Sequence, residues 1–98
     1  MDVNAGGLAE TMAAVERAGG RGLVVEADVT RPAEVQRYVA AAVERWGGID
    51  GFFNNAGILG VVSPLVDYPE TTFDRVIAVN VKSVWLGLKV VAPTMIAR

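Results

Sequence analysis

The sequence predicts an α/β fold in the order helix, strand, helix, strand, long helix, with the two strands parallel. Three observations predict it. Apolar residues recur at steps of three and four in three separate blocks, the period of helices with one buried face. Between the blocks lie two short runs, Leu23-Val24-Val25 and Ile49-Asp50-Gly51-Phe52-Phe53, β-branched or aromatic and too brief for helices. Glycine pairs and prolines separate one block from the next, and connections of a few residues suit a strand–helix–strand unit with a right-handed crossover.

The first helix runs over about residues 5–18, with Leu8, Met12 and Val15 at i, i+4 and i+7. Gly19-Gly20 ends it, because glycine reaches the left-handed conformation of a helix stop at little cost. Leu23-Val24-Val25-Glu26 follows as a strand. Its run of apolar residues lacks alternation, which suggests cover on both faces of a parallel sheet. Thr30 is the expected cap of the second helix, with Pro32 tolerated in the first turn. A capping box on Thr30 would place an acid at position 33, but Ala33 stands there and Glu34 comes one place late. Val35, Tyr38, Val39, Ala42, Val43 and Trp46 form the stripe of that helix, and Gly47-Gly48 stops it.

The second strand spans residues 49–54 and leads into the turn Asn54-Asn55-Ala56-Gly57. A loop through Ser63-Pro64 and Tyr68-Pro69 precedes the last block, residues 70–97. That block is rich in valine, yet its length and period favour a helix. Phe73, Ile77, Val81, Val84, Leu88, Val91 and Met95 form the expected stripe. About 27 helical residues would reach roughly 40 Å, with a kink expected at Pro93. Two strands alone leave bare edges on both sides. The 98 residues are therefore expected to be cut from a larger sheet, and to be molten or aggregated when expressed alone.

Composition excludes several classes of function. The net charge is −2 and the basic residues are scattered, which argues against a nucleic-acid face or an anionic membrane surface. With no cysteine and no histidine, disulfides, thiolate chemistry, zinc sites and Ser-His-Asp triads cannot be built. The N-terminus, Met1-Asp2-Val3-Asn4-Ala5, does not read as a signal peptide. Residues 76–96 are interrupted by Lys82 and Lys89, so no membrane span is expected there. A soluble, cytoplasmic protein is the expectation.

Open α/β sheets bind ligands at the carboxyl ends of their strands. Asp28-Val29 follows the first strand and Asn54-Asn55-Ala56-Gly57 the second, while Asn80 lies within the apolar long helix. Taken singly, each has an ordinary structural reading. Asp28 suits a turn before a helix, an Asn-Gly segment suits a turn after a strand, and Asn80 suits a local helix hydrogen bond. Taken in order, they resemble the short-chain dehydrogenase/reductase family. Asn54-Asn55-Ala56-Gly57, preceded by Ile49-Asp50, is similar to its Asn-Asn-Ala-Gly signature. Asp28-Val29 is similar to its Asp-Val pair after the third strand, and Val79-Asn80-Val81 to the Asn segment of its long helix.

The resemblance covers nearly the whole chain and implies a partial Rossmann fold, a doubly wound parallel sheet. It implies hydride transfer between NAD(P) and a small alcohol or carbonyl substrate. Asp28 would hydrogen-bond the adenine amino group, Val29 would pack on the ring, and Asn54, Ala56 and Gly57 would line the adenosine ribose side. Asn80 would be the catalytic Asn, holding a water that links a catalytic Lys to solvent. Asp2 would be the acid that ends the second strand and binds the ribose hydroxyls. A carboxylate there favours NAD over NADP, and no Arg or Lys precedes Arg17 to receive a further phosphate. The long helix would pair with its counterpart in a second subunit, giving a homo-oligomer.

The departures from the family pattern are as informative as the matches. The Gly-rich phosphate loop is missing, because Asn4-Ala5-Gly6-Gly7 lacks its spacing and follows no strand. The catalytic Tyr with Lys four residues on is missing too, since Tyr38 is followed by Ala42 and Tyr68 by Thr72. Ser63 and Ser83 come too early for the family's catalytic Ser. Residues 1–98 are thus expected to be a partial NAD(P)-binding domain, inactive alone. Two alternatives are a non-catalytic nucleotide-binding or assembly module derived from the same fold, and an α/β scaffold of flavodoxin-like kind. The second would want an acidic cluster at the strand ends, and Asp28 stands alone beside Asn54 and Asn55.

Overall fold

The computed structural model describes residues 1–97. Helix α1 spans Ala5–Arg17 and α2 spans Pro32–Trp46. A short 3-10 turn, Leu65–Asp67, precedes one continuous helical rod made of α3 (Glu70–Ile77), a π turn (Ala78–Lys82) and α4 (Ser83–Ala97). The three helical blocks match the expected ones. The rod continues through Pro93 to Ala97. The whole is a slab 48 × 32 × 18 Å.

Local chemistry explains the helix ends. The Asn4 side chain accepts from the Gly7 N–H at 3.0 Å and caps α1. At the other end Gly19 and Gly47 take positive φ, 84° and 82°, as the glycine pairs predicted. Gly20 N–H bonds to Val15 O and Gly19 N–H to Glu16 O, the paired closure of a left-handed helix stop. The start of α2 corrects the expected cap. Arg31, not Thr30, is the N-cap residue, and it offers no side-chain cap. Thr30 instead gives both its N–H and its hydroxyl to Asp28 Oδ1. This shift of one residue puts Glu34 at the third helical position.

The sheet is where expectation and structure part. Among the described residues, 23–26 and 49–54 form no strand, and the strand order predicted from the sequence is not observed. What forms is one parallel bridge between Asp2 and Glu26. It consists of Asp2 N–H to Val25 O at 3.3 Å and Ala27 N–H to Asp2 O at 2.8 Å. The reason is that a strand is defined by its neighbour. A segment can be extended and apolar, yet with no ladder partner it is not a strand. Cover is also one-sided: Val25, Ala27, Ile49 and Phe52 face the core, while Val24 and Phe53 are exposed, Phe53 to 84%.

The core lies where α2 and α4 cover these two extended segments. Val35, Val39, Tyr38, Ala27, Leu86 and Val91 are buried together, with Val25, Val29, Val43, Ile49, Phe52 and Val90 packed around them. The Tyr38 and Phe52 rings meet with centroids 6.3 Å apart. The stripe expected on the long helix is mostly not the buried one. Phe73, Ile77, Val81, Leu88 and Met95 are exposed, and only Val84 and Val91 turn inward. The buried positions are Val79, Ser83, Leu86, Gly87 and Val91. A helix apolar all round carries more than one stripe of steps three and four, and the packed one is chosen by size. A Cβ on Gly87 would lie 3.0 Å from both Phe52 and Asn54, so glycine there lets the helix lie directly on the second extended segment.

By length and composition alone, Glu70–Ala97 could cross a membrane. Here one face of it packs on α2 and the residues beneath, the arrangement of a core helix.

Candidate functional site

Beyond the C-terminal ends of the two extended segments lies a cleft of about 370 Å³. Its lining comes from segments far apart in sequence: Asp2 at the bridge, Asp28 and Val29 after the first segment, Asn55-Ala56-Gly57 after the second, and Arg75 and Val79 from the helical rod. The bridge of Asp2 to Glu26 and the packing of Phe52 under α4 bring these segments together.

Asp28 is the most elaborately held of them. Its Oδ1 accepts from the Thr30 hydroxyl at 2.7 Å and the Thr30 N–H at 2.9 Å. Its own N–H donates to Glu34 Oε1 at 3.0 Å. The Thr30 hydrogen bonds hold the carboxyl below the ordinary carboxylate range, the hydroxyl first and the amide second, with Arg31 and Arg75 adding smaller attractions. Burial opposes the Thr30 hydrogen bonds by more than either arginine adds to them. The turn reading and the site reading of Asp28 are therefore compatible. One oxygen closes the turn, and Oδ2 has no hydrogen-bond partner among the described residues.

Asp2 is exposed at the rim, where Oδ1 accepts from the Asn4 N–H at 3.1 Å. Val29, Ala56 and Gly57 line the cleft as well. Asn54 does not: its Nδ2 donates to Val84 O at 2.9 Å, so it ties the turn to α4, and Asn55 takes the place in the lining. Asn80 is not in the lining either. It lies in the π turn and bonds Ile58 twice, with Oδ1 accepting from the Ile58 N–H at 2.7 Å and Nδ2 donating to Ile58 O at 2.9 Å. A Cβ on Gly57 would approach Asn80 Oδ1 to 3.3 Å. Asn54 and Asn80 thus hold the turn 54–58 against the rod from two points.

The sequence does not single out Arg75, and it names Val79 only as the neighbour of Asn80. They stand four residues apart, one turn before and beside Asn80, and that spacing was the signal. Among the described residues no group of three metal-ligating side chains is found. Tyr38 is buried in the core, which pushes its hydroxyl pKa up and removes it from acid/base work. Chemically the cleft offers hydrogen-bond acceptors to hydroxyl or amino donors, a small-residue backbone that a ligand can approach closely, and apolar walls from Val29 and Val79.

The arrangement is a layer of helices packed on two extended segments, with a cleft at the carboxyl ends of those segments. The family model described as short chain dehydrogenase matches residues 1–98. The levodione reductase of Leifsonia aquatica is 42% identical over 97 residues, 97% of this chain and 36% of that protein. The crystal structure of levodione reductase superimposes with a TM-score of 0.92 at 43% identity, covering 96% of this chain and 37% of that one. That of NAD+-bound xylitol dehydrogenase gives a TM-score of 0.95 at 36% identity, covering 98% and 37%. The chain belongs to the short-chain dehydrogenase family, and it spans little more than a third of the length of these relatives.

Proposed function

We propose that these residues form the adenosine-binding section of an NAD-dependent oxidoreductase that moves a hydride between NAD(H) and a small alcohol or carbonyl compound. The observation that carries this reading is the convergence of Asp2, Asp28, Val29, Ala56 and Gly57 on one cleft. When bound, the nicotinamide group would accept or supply the hydride. The Asp2 carboxylate accepts from the ribose hydroxyls, the unpartnered Oδ2 of Asp28 accepts from the adenine amino group, and Val29 packs on the base. The backbone at Ala56-Gly57 allows close approach. Asn80, whose amide is spent on Ile58, serves the chemistry by holding the turn 54–58 and through its place in the π turn. NAD is favoured over NADP by the Asp2 carboxylate, and a similar chain, xylitol dehydrogenase, is described as NAD+-bound.

The proton step needs an acid/base that these residues do not supply. Tyr38 is buried, and neither tyrosine has a lysine four residues on. The section is therefore inactive by itself and works within a longer cytoplasmic protein that contains Tyr-x-x-x-Lys. The exposed apolar face of the long helix, with Phe73 55%, Trp85 56% and Leu88 54% exposed, is the surface for a second copy. The second reading, a non-catalytic nucleotide-binding module, is favoured by that same lack of an acid/base.

The test is to express the gene with its flanking sequence and measure NADH formation with a panel of secondary alcohols, alongside calorimetric binding of NAD and NADP. Turnover with NAD supports the oxidoreductase. Binding of NAD without turnover, and no Tyr-x-x-x-Lys downstream, supports the module. Absence of binding removes both.

A further inference from the structure

We infer that Glu34 is a positioning residue for the adenosine end of the cleft, acting through Asp28; this rests on the proposed function. Glu34 stands at the third position of α2, where an acid ordinarily reaches back to the N–H of the cap residue. Here the cap residue is Arg31, whose N–H is already given to Asp28 O at 3.1 Å. Glu34 therefore reaches three residues further, and its Oε1 accepts the Asp28 N–H at 3.0 Å.

Two arginines fix the carboxylate in that place. Arg37 Nη2 lies 3.5 Å from Oε1, and Arg31 Nε lies 3.8 Å from Oε2. The same Arg37 nitrogen donates to Glu26 O, at the end of the first extended segment. Glu34 is only 28% exposed, while the arginines are 73% and 54% exposed, so the acid is the fixed point and the arginines close over it.

The result is that Asp28 is gripped from both ends. Thr30 holds Oδ1 and Glu34 holds the backbone N–H, which leaves Oδ2 with one direction in which to point. Such preorganisation raises affinity by removing the ordering cost from the binding step. An acid chosen only to start the helix would have no reason to bond a residue four places before the first helical one.

The test uses the protein at its natural length and three probes: AMP, nicotinamide mononucleotide and NAD. Glu34→Ala is expected to weaken AMP and NAD by roughly tenfold, the scale of one hydrogen bond to a charged group, and to leave nicotinamide mononucleotide unchanged. Glu34→Asp keeps the charge and shortens the reach, so it should weaken AMP as well, whereas Glu34→Gln retains an acceptor at the same place and should bind AMP within about threefold of the parent. In a cycle with Asp28→Ala, the Glu34→Ala loss should vanish once Asp28 is gone. If Glu34→Ala does not fold, Glu34→Asp, Glu34→Gln and Thr30→Val carry the measurement. Additive losses, or a Glu34→Asp protein that binds AMP like the parent while Asp28→Ala does not, overturn the inference and leave the proposed function standing. A parent protein that binds neither AMP nor NAD overturns both.

Discussion

The side-chain amide of Asn80 spends both of its hydrogen bonds on one residue, Ile58: Oδ1 accepts from its N–H at 2.7 Å and Nδ2 donates to its C=O at 2.9 Å. The turn after the second extended segment is thereby clasped to the π turn. The consequence is a division of labour between the two asparagines that reach the helical rod. Asn54 anchors the start of the turn on Val84 O, and Asn80 anchors its end.

Asn80→Ala removes the second anchor and nothing from the cleft wall. In the full-length protein it is expected to lower kcat by tenfold or more and, because the loosened turn lines the cleft, to weaken NAD as well, on the scale of about 1 kcal/mol per lost hydrogen bond. Asn80→Asp keeps the acceptor for the Ile58 N–H and loses the donor, so its kcat should fall between the two. Steady-state kinetics with calorimetric NAD binding decides it. An unchanged kcat for Asn80→Ala ends the catalytic assignment.

The Asp28 carboxyl gives a pH signature. Its pKa is lowered from the ordinary 3.8, chiefly by the Thr30 hydroxyl and then by the Thr30 amide. A depressed carboxyl contributes stability that is present above 3.8 and is lost as pH falls through the lower, folded value. Thr30→Val removes the largest cause, so the variant should lose stability at pH 6 relative to the parent, with the gap narrowing as pH falls below the ordinary 3.8. Urea unfolding of the full-length protein across that range measures it, and a gap that is constant with pH would rule out this carboxyl as the source.

Asp2 should set the choice between the two dinucleotides. Asp2→Ser removes a negative charge from the rim that Arg75 also lines. The ratio of NADP to NAD affinity is expected to rise roughly tenfold, since an exposed like-charge contact is on the order of 1 kcal/mol. An unaltered ratio places the discriminating charge elsewhere.

The outward face of the long helix should be an interface. Trp85→Glu and Leu88→Glu each put a charge into the exposed apolar face without touching the buried Ser83, Leu86, Gly87 and Val91. The expected outcome is a shift from oligomer to monomer in analytical ultracentrifugation with the circular-dichroism spectrum unchanged. A parent protein that is already monomeric would falsify the proposal.

Much of this was legible in the chain itself, for identifiable reasons. The three helical blocks were, because apolar period and glycine stops are local properties. The grouping of Asp2, Asp28, Val29, Ala56 and Gly57 was, because each lies at or just beyond the end of an extended segment and all line one cleft. The strands were not, because residues 23–26 and 49–54 carry the right side chains but a ladder needs a second backbone. The packed face of the long helix is not legible from hydrophobicity, because the helix is apolar on several faces. Gly87, not Leu88, lies against the neighbouring segment, and Ser83, not Ile77, is buried. In the sequence Thr30 reads equally well as a helix cap, because its chemistry fits that role. Only the fold shows its hydroxyl turned back to Asp28.

The π turn at Ala78–Lys82 has one more effect. One additional residue in a single turn rotates everything beyond it by about 100° relative to an uninterrupted α-helix. The rod therefore has two angular frames. Thr72 and Val76 are set by the first and look toward Gly60, with Arg75 and Val79 toward the cleft, while Leu86 and Val91 are set by the second and pack with α2. Deleting one residue from 78–82 would bring the frames into phase and force one of the two surfaces to turn away. Point changes on either side, by contrast, can accumulate independently, so ligand contacts on α3 can diversify while the packing of α4 stays as it is.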